Sequence, residues 1–293
     1  MTTVAFVGLG RMGLAMAGRL LDTGFTLRVF NRTPARAESL VTRGARRCAS
    51  PAEAAREAEF AITMMADDAA LRAVALGPEG LVAGLPAGGV HLSMSTVSPD
   101  VNRELAAAHQ AVGSDLVAAP VLGRPEVAAA GMLWLMPAGS PALEVRCQPL
   151  IAALSRGFTW VGDEPGLGNI AKLAVNGFLY NMAAALGEAL TLVEKHGGDR
   201  QRFFEVVSNG FGSQIITGYG RRMVNADYLP AGFTSVLALK DISLLLDLAR
   251  SGPAPLLISS LVRDYMLAIL AHGRHDWDVA SLAEIAREHA GLT

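Results

Sequence analysis

Apolar residues follow two rhythms along this chain, and the change of rhythm divides it. Up to Gly166, short apolar runs of strand length alternate with stretches whose apolar positions recur every three or four residues. The runs predict strands at Val4–Gly8, Thr26–Asn31, Phe60–Met64, Gly89–Met94, Ser114–Ala118, Leu133–Pro137 and Thr159–Val161. The periodic stretches predict helices at Gly13–Leu21, Pro34–Arg43, Pro99–Gln110 and Pro141–Leu154. Each proline suits a first helical turn, where the missing N–H has no partner to lose. Such alternation predicts a doubly wound, mostly parallel sheet covered by helices on both faces.

Beyond Gly166 no convincing strand pattern returns. One long amphipathic helix is predicted from Asn169 to about His196, ended by Gly197-Gly198. Shorter helices follow at Arg200–Ser208, Ser213–Asn225, Val236–Arg250, Pro255–His272 and Val279–Ala290. The expected domains are therefore residues 1–163 and an all-α domain over 164–293 that begins with the long helix. A length of 293 residues agrees with two domains, since single cores seldom grow past roughly 250 residues.

Composition narrows the partners. The chain is 51% hydrophobic and 18% charged, yet no apolar run reaches the ~18 residues of a membrane helix. The longest, Val127–Met136, stops at Pro137. The apolar surplus points instead to a subunit interface, in a homodimer or homotetramer. A net charge of −2 favours neither nucleic acid nor an anionic membrane. Cys48 and Cys147 are far apart, and the six histidines include no H-x-x-x-H pair, so no disulfide framework and no metal site is expected. The first strand begins at Val4, which leaves no room for a signal peptide and predicts a cytoplasmic protein.

Candidate chemistry begins directly after that strand. Gly8-Leu9-Gly10-Arg11-Met12-Gly13 joins it to a helix with Met16, Ala17 and Leu20 on one side. Strand, G-x-G-x-x-G and helix in this order predict a Rossmann dinucleotide-binding domain. The first glycine makes the tight turn, the second lets a pyrophosphate approach, and the third lets helix and strand pack closely. The helix N-terminus then supplies N–H donors and partial positive charge. The second strand ends in Asn31-Arg32-Thr33, where NAD sites usually carry an acid for the ribose hydroxyl. Arg32 is suited to a 2′-phosphate, a charge-assisted contact worth roughly 1.5–3 kcal/mol, and Thr33 adds a hydroxyl. The expected cofactor is NADP(H).

A second cluster opens the long helix. Asn169, Lys172 and Asn176 are spaced i, i+3, i+7 and share one face. Val175, Leu179 and Ala183 make the surroundings apolar. A lysine there is either a general acid or base near neutrality or a side chain that snorkels to water.

The chain resembles the β-hydroxyacid dehydrogenase family, which includes 3-hydroxyisobutyrate dehydrogenases, tartronate semialdehyde reductases and glyoxylate/succinic semialdehyde reductases. The resemblance rests on Val7 to Ala17, Asn31-Arg32-Thr33, Met94 to Pro99, Ala119 to Gly123, the Lys172 segment and Lys240-Asp241, in the family's order over most of the chain. It implies that Lys172 is the catalytic acid/base and that Asn176 holds substrate. It further implies that Met65, Ala66 and Thr96 line the cofactor cleft, that Phe233 covers the nicotinamide, and that Lys240 reaches the cofactor. One stretch departs from the family, whose members typically carry Ser-Gly-Gly or Ser-Gly-Ser after Ala-Pro-Val for the substrate carboxylate. Here Leu122, Gly123 and Arg124 occupy the loop, and Arg124 either replaces the lost donor or points to solvent. The expected activity is NADP(H)-dependent interconversion of a small aldehyde and its hydroxyacid. Its rivals are an imine reductase, to which Leu122 is congenial and Lys172 is not, and a non-catalytic NADP-binding protein on the same fold.

Overall fold

The structure is a computed structural model that describes residues 2–292; Met1 and Thr293, the outermost residues of the two expected domains, lie outside that range. The chain forms two compact units, Met1–Lys172 and Leu173–Thr293, so the division falls within the helix Gly166–Lys195.

In the first unit the strands β1 (Thr3–Val7), β2 (Thr26–Phe30), β3 (Arg46–Arg47), β4 (Phe60–Thr63), β5 (Val90–Ser93) and β6 (Asp115–Ala118) form one parallel sheet in the order β3-β2-β1-β4-β5-β6. Side chains alternate across a strand, and β1 shows what this achieves. Val4 and Phe6 enter the core that contains Met16, Ala17 and Leu20 of the helix Arg11–Asp22. Ala5 and Val7 enter a separate core with Ala54, Ala55 and Leu81. Both faces are thus covered, and the strand has to be apolar throughout. The strand order reverses between β1 and β4. Ligands of open α/β sheets bind in the crevice beyond the carboxyl ends at such a switch point, and Gly8 and Met64 lie there.

Three further strands form a second small sheet: β7 (Val121–Leu122), β8 (Leu133–Leu135) and β9 (Ser155–Phe158), with β7 antiparallel and β9 parallel to β8. The strand expected at Thr159–Val161 is displaced: β9 ends at Phe158 and includes none of those three residues. Ser155, Arg156 and Gly157 carry no apolar signal, and a side chain on Gly157 would come within 2.6 Å of the Trp134 ring. Hydrogen bonding nevertheless continues through the expected residues, with Thr159 N–H donating to Leu135 C=O at 3.0 Å and Val161 N–H to Pro137 C=O at 2.8 Å.

Several short elements escape a reading by hydrophobic period. β3 consists of two exposed arginines. The helices Pro51–Ala55, Asp68–Ala75 and Leu81–Gly84 are too brief to show a period. Two of them are announced by their caps instead. Ser50 Oγ accepts from Glu53 N–H at 3.1 Å, and Asp67 Oδ1 accepts from Ala70 N–H at 2.8 Å.

The second unit is built of helices joined by loops among its described residues. After the long helix come Arg200–Phe211, Gln214–Val224, Ser235–Ser251, Leu257–Ala271, a single 3-10 turn at Val279–Ser281, and Leu282–His289. The β pairing described here is an isolated bridge between Thr234 and Asp278. Tyr180, Leu190, Phe204, Met223, Ile242, Met266 and Ile285 build its core. Among the described residues no helix is long and apolar enough to cross a membrane.

Candidate active site

The glycine loop shows three different reasons for being glycine. Gly8 has φ +98°, and a Cβ on it would lie 2.5 Å from Met64 O. A Cβ on Gly13 would lie 1.9 Å from Gly8 O, so the helix and strand end approach as closely as their backbones allow. Gly10 differs. It has ordinary extended geometry (φ −71°, ψ −172°), and a Cβ there would meet nothing within 4 Å. No neighbouring atom of the fold requires glycine at that position, which leaves the backbone open to a group approaching from outside. Gly10 is also the N-cap of the helix Arg11–Asp22, whose first turn holds no acid and whose N-terminus is capped by no side chain. The cradle fits a pyrophosphate.

Asn31 holds this loop from the neighbouring strand. Its Oδ1 accepts from Leu9 N–H at 2.9 Å and its Nδ2 donates to Thr33 C=O at 3.0 Å. An aspartate would accept the first bond and repel the second carbonyl. Asn31 thereby ties the glycine loop to the segment bearing Arg32 and Thr33, whose side chains are exposed beside it.

Across the switch point, Met65 and Ala66 follow β4. Met65 N–H donates to Ser95 Oγ at 2.8 Å, which joins the ends of β4 and β5. Thr96 comes next, half-buried. The carbonyls on either side of it, Ser95 C=O and Val97 C=O, both accept from Asn169 Nδ2, at 3.0 and 2.9 Å. Asn169 Oδ1 in turn accepts from Asn102 Nδ2 at 2.7 Å. Asn169 is fully buried. The residue pattern places it on the Lys172 face but says nothing of these partners.

The start of the long helix is seated in the first unit. Glu164 Oε1 accepts from Gly166 N–H at 2.8 Å, while both Glu164 oxygens receive Arg103 at 3.1 Å. A Cβ on Gly168 would come within 2.9 Å of Ala118 O and 3.0 Å of Met136 O, so close seating requires glycine there. Lys172 is buried one turn further along.

The loop Leu122, Gly123, Arg124 leaves β7. Leu122 is half-buried and paired with Trp134. Gly123 has φ +143°, a region closed to other residues, and a Cβ would strike Leu133 at 2.5 Å. Arg124, half-buried, is the N-cap of the short helix Pro125–Ala129.

In the second unit Asn176 meets a buried carboxylate absent from the sequence-based set. Asn176 Nδ2 donates to Asp241 Oδ2 at 2.7 Å, and Tyr180 Oη donates to the same oxygen at 3.2 Å. Lys240 Nζ lies 3.0 Å from Asp241 Oδ1, an ion contact without hydrogen-bond alignment. Burial, helped by the Asp241 charge, pushes the Tyr180 hydroxyl well above its ordinary range, so it stays a donor. Tyr180 also lies parallel to Phe233, with ring centroids 6.4 Å apart. The backbone leading into Phe233 is pinned by Asp278, whose Oδ2 accepts from Gly232 N–H at 2.9 Å and Phe233 N–H at 3.2 Å. The Lys240-Asp241 pair was a visible signal for the first acid; nothing local marks the second.

Two family models match the chain, one described as the NAD binding domain of 6-phosphogluconate dehydrogenase over residues 3–162, the other as the NAD-binding of NADP-dependent 3-hydroxyisobutyrate dehydrogenase over 166–286. The chain is 39% identical to the uncharacterized oxidoreductase YfjR of Bacillus subtilis, covering 95% of this chain and 98% of the relative. It is 32% identical to 3-sulfolactaldehyde reductase of Escherichia coli, covering 100% and 98%. Among solved structures it resembles 3-hydroxyisobutyrate dehydrogenase of Mycobacterium tuberculosis with L-serine, at TM-score 0.88 and 29% identity over 98% and 99% of the two chains.

Proposed function

The chain belongs to the β-hydroxyacid dehydrogenase family, and from that premise we propose that it is an NADP(H)-dependent oxidoreductase acting on CH–OH groups. It interconverts a small aldehyde, of semialdehyde or glyoxylate type, with the corresponding hydroxyacid. The observation that carries the cofactor half of this reading is the open space over Gly10, set against the crowded Gly8 and Gly13. We assign residues 1–163 to an NADP-binding Rossmann domain and 164–293 to an all-α domain that begins with the long helix and adds residues to the cofactor site. Gly8, Leu9, Gly10, Arg11, Met12 and Gly13 hold the pyrophosphate; Asn31 positions Arg32 and Thr33 for a 2′-phosphate. Met65, Ala66, Thr96, Phe233 and Lys240 complete the residues assigned to the cofactor.

Bound NADPH supplies the hydride. In the reductive direction the carbonyl carbon receives it, and the oxygen, left as an alkoxide, takes a proton from the Lys172 ammonium. Asn176 orients the substrate, its amide held by Asp241. Leu122 removes the hydroxyl usual in this loop, which leaves Gly123 to offer backbone and Arg124 to take a carboxylate. The E. coli relative is named for an aldehyde bearing a sulfonate, and Arg124 suits either anion.

The test is NADPH oxidation with glyoxylate, succinic semialdehyde, tartronate semialdehyde and 3-sulfolactaldehyde, each repeated with NADH. At least one aldehyde should be reduced faster with NADPH. Lys172→Ala should lower turnover about 10²–10⁴-fold while sparing NADPH affinity; full activity in that variant would remove Lys172 from the mechanism.

A further inference from the structure

The three hydrogen bonds of Asn169 have a consequence for the reaction. A fully buried carboxamide has lost its water, and an apolar side chain would serve if packing were the requirement. Here both amide hydrogens go to carbonyls that flank one residue, Thr96, at 3.0 and 2.9 Å. That arrangement fixes the backbone of Thr96 from both sides. It also fixes which way the amide faces, because its oxygen then has to accept, and Asn102 Nδ2 supplies the donor at 2.7 Å. Ser95 extends the cluster, since its hydroxyl receives Met65 N–H. Lys172 lies three residues after Asn169 on the same helical face, ~4.5 Å further along the axis.

We propose that Asn169 is a positioning residue that sets the register between the Thr96 turn and the helical turn carrying Lys172. The proposal rests on the reading above, in which Thr96 faces the nicotinamide and Lys172 is the proton donor. Asn169 touches no reacting atom. It acts by holding one segment, the Ser95–Val97 turn whose two carbonyl partners lie 74 and 72 residues away in sequence, against the first turn of the catalytic helix. A displacement of the order of 1 Å in such a register is enough to reduce turnover by about 10²-fold.

The experiment uses Asn169→Ala and Asn102→Ala in the full chain. In the cofactor-free protein, amide hydrogen exchange across residues 95–98 should quicken about tenfold or more in Asn169→Ala, with the β1 amides unaltered. With the aldehyde best reduced by the wild type, kcat per folded molecule should fall about 10- to 100-fold. The NADPH dissociation constant should stay within about threefold, because the pyrophosphate and 2′-phosphate contacts are untouched. The primary isotope effect with NADPH deuterated at the transferred position should equal or exceed that of the wild type, since hydride transfer becomes the slower step. Asn102→Ala, which loses only the bond orienting the amide, should shift exchange and kcat in the same directions by less, and decides the matter if Asn169→Ala fails to fold. Unchanged exchange, unchanged kcat per folded molecule, a loss confined to NADPH affinity, or a smaller isotope effect would overturn the proposal. Lys172→Ala in parallel separates the two readings: full activity there defeats the lysine assignment, while the exchange result still judges the clamp.

Discussion

Gly10→Ala and Gly13→Ala are the same chemical change three residues apart, and the structure separates their consequences. At Gly13 the new carbon would sit 1.9 Å from Gly8 O, so helix and strand end must part by more than about 1 Å in a close-packed region. That is overpacking against backbone, which no rotamer relieves, and the cost should reach about 3 kcal/mol. For a unit of this size it lowers the Tm by about 6–12 °C. At Gly10 the new carbon meets no atom, and the backbone angles are open to alanine. Reduced freedom of the unfolded chain favours alanine by about 0.4–1 kcal/mol, and its weaker N-capping opposes this by a similar amount. The Tm should therefore move by less than about 3 °C. On the proposed cofactor reading affinity reverses the ranking, because the methyl added by Gly10→Ala would occupy the approach of the pyrophosphate. Losing one good charge-assisted contact, about 1.5–3 kcal/mol, raises the NADPH dissociation constant about 10- to 100-fold. Thermal melts by circular dichroism and titration of NADPH fluorescence measure both quantities on the same preparations. Wild-type NADPH affinity in Gly10→Ala would refute the reasoning, as would wild-type stability in Gly13→Ala.

Three other outcomes are expected. Arg32→Ala should weaken NADPH binding about 10- to 100-fold and leave NADH nearly unchanged; equal losses for both would remove the 2′-phosphate role. Stability should fall on acidification because of a buried chain in which Thr63 Oγ1 meets His91 Nε2 at 2.9 Å, His91 Nδ1 meets His109 Nε2 at 2.9 Å, and His109 Nδ1 meets Ser114 Oγ at 2.7 Å. Burial pushes both imidazoles down, His91 well below its ordinary range and His109 to about 4. Below pH 6.5 the unfolded chain therefore binds protons that the folded one refuses. The stabilisation is complete above that pH and is lost as pH falls toward 4, by up to about 1.4 kcal/mol per pH unit for each histidine. Urea melts from pH 7 to 4.5 should show a shallower slope in His109→Gln, and an equal slope would contradict the assignment. Finally, Phe178, Leu192, Leu257, Ile258 and Leu261 leave large apolar side chains exposed on the helical unit. Light scattering should report a dimer or tetramer, with Phe178→Glu plus Leu261→Glu shifting it toward monomer; a monomeric wild type would refute an interface there.

What the sequence determined by itself is what short-range physics encodes. Runs of apolar residues made β1 and β4 legible as strands, and the helical period marked the long helix and most of the second unit. The glycine loop was legible because its spacing states a backbone requirement directly. Tertiary structure alone decided how the candidate residues are held. Asn169 meets its partners 67 to 74 residues away, Asn176 meets Asp241 across 65, and Asp278 meets the Phe233 turn across 45 and 46. A polar residue in a sequence shows that it can donate or accept; which carbonyl or carboxylate it finds depends on how the chain folds back. The same holds for Gly10 and Gly13, identical as letters and told apart only by the space around them.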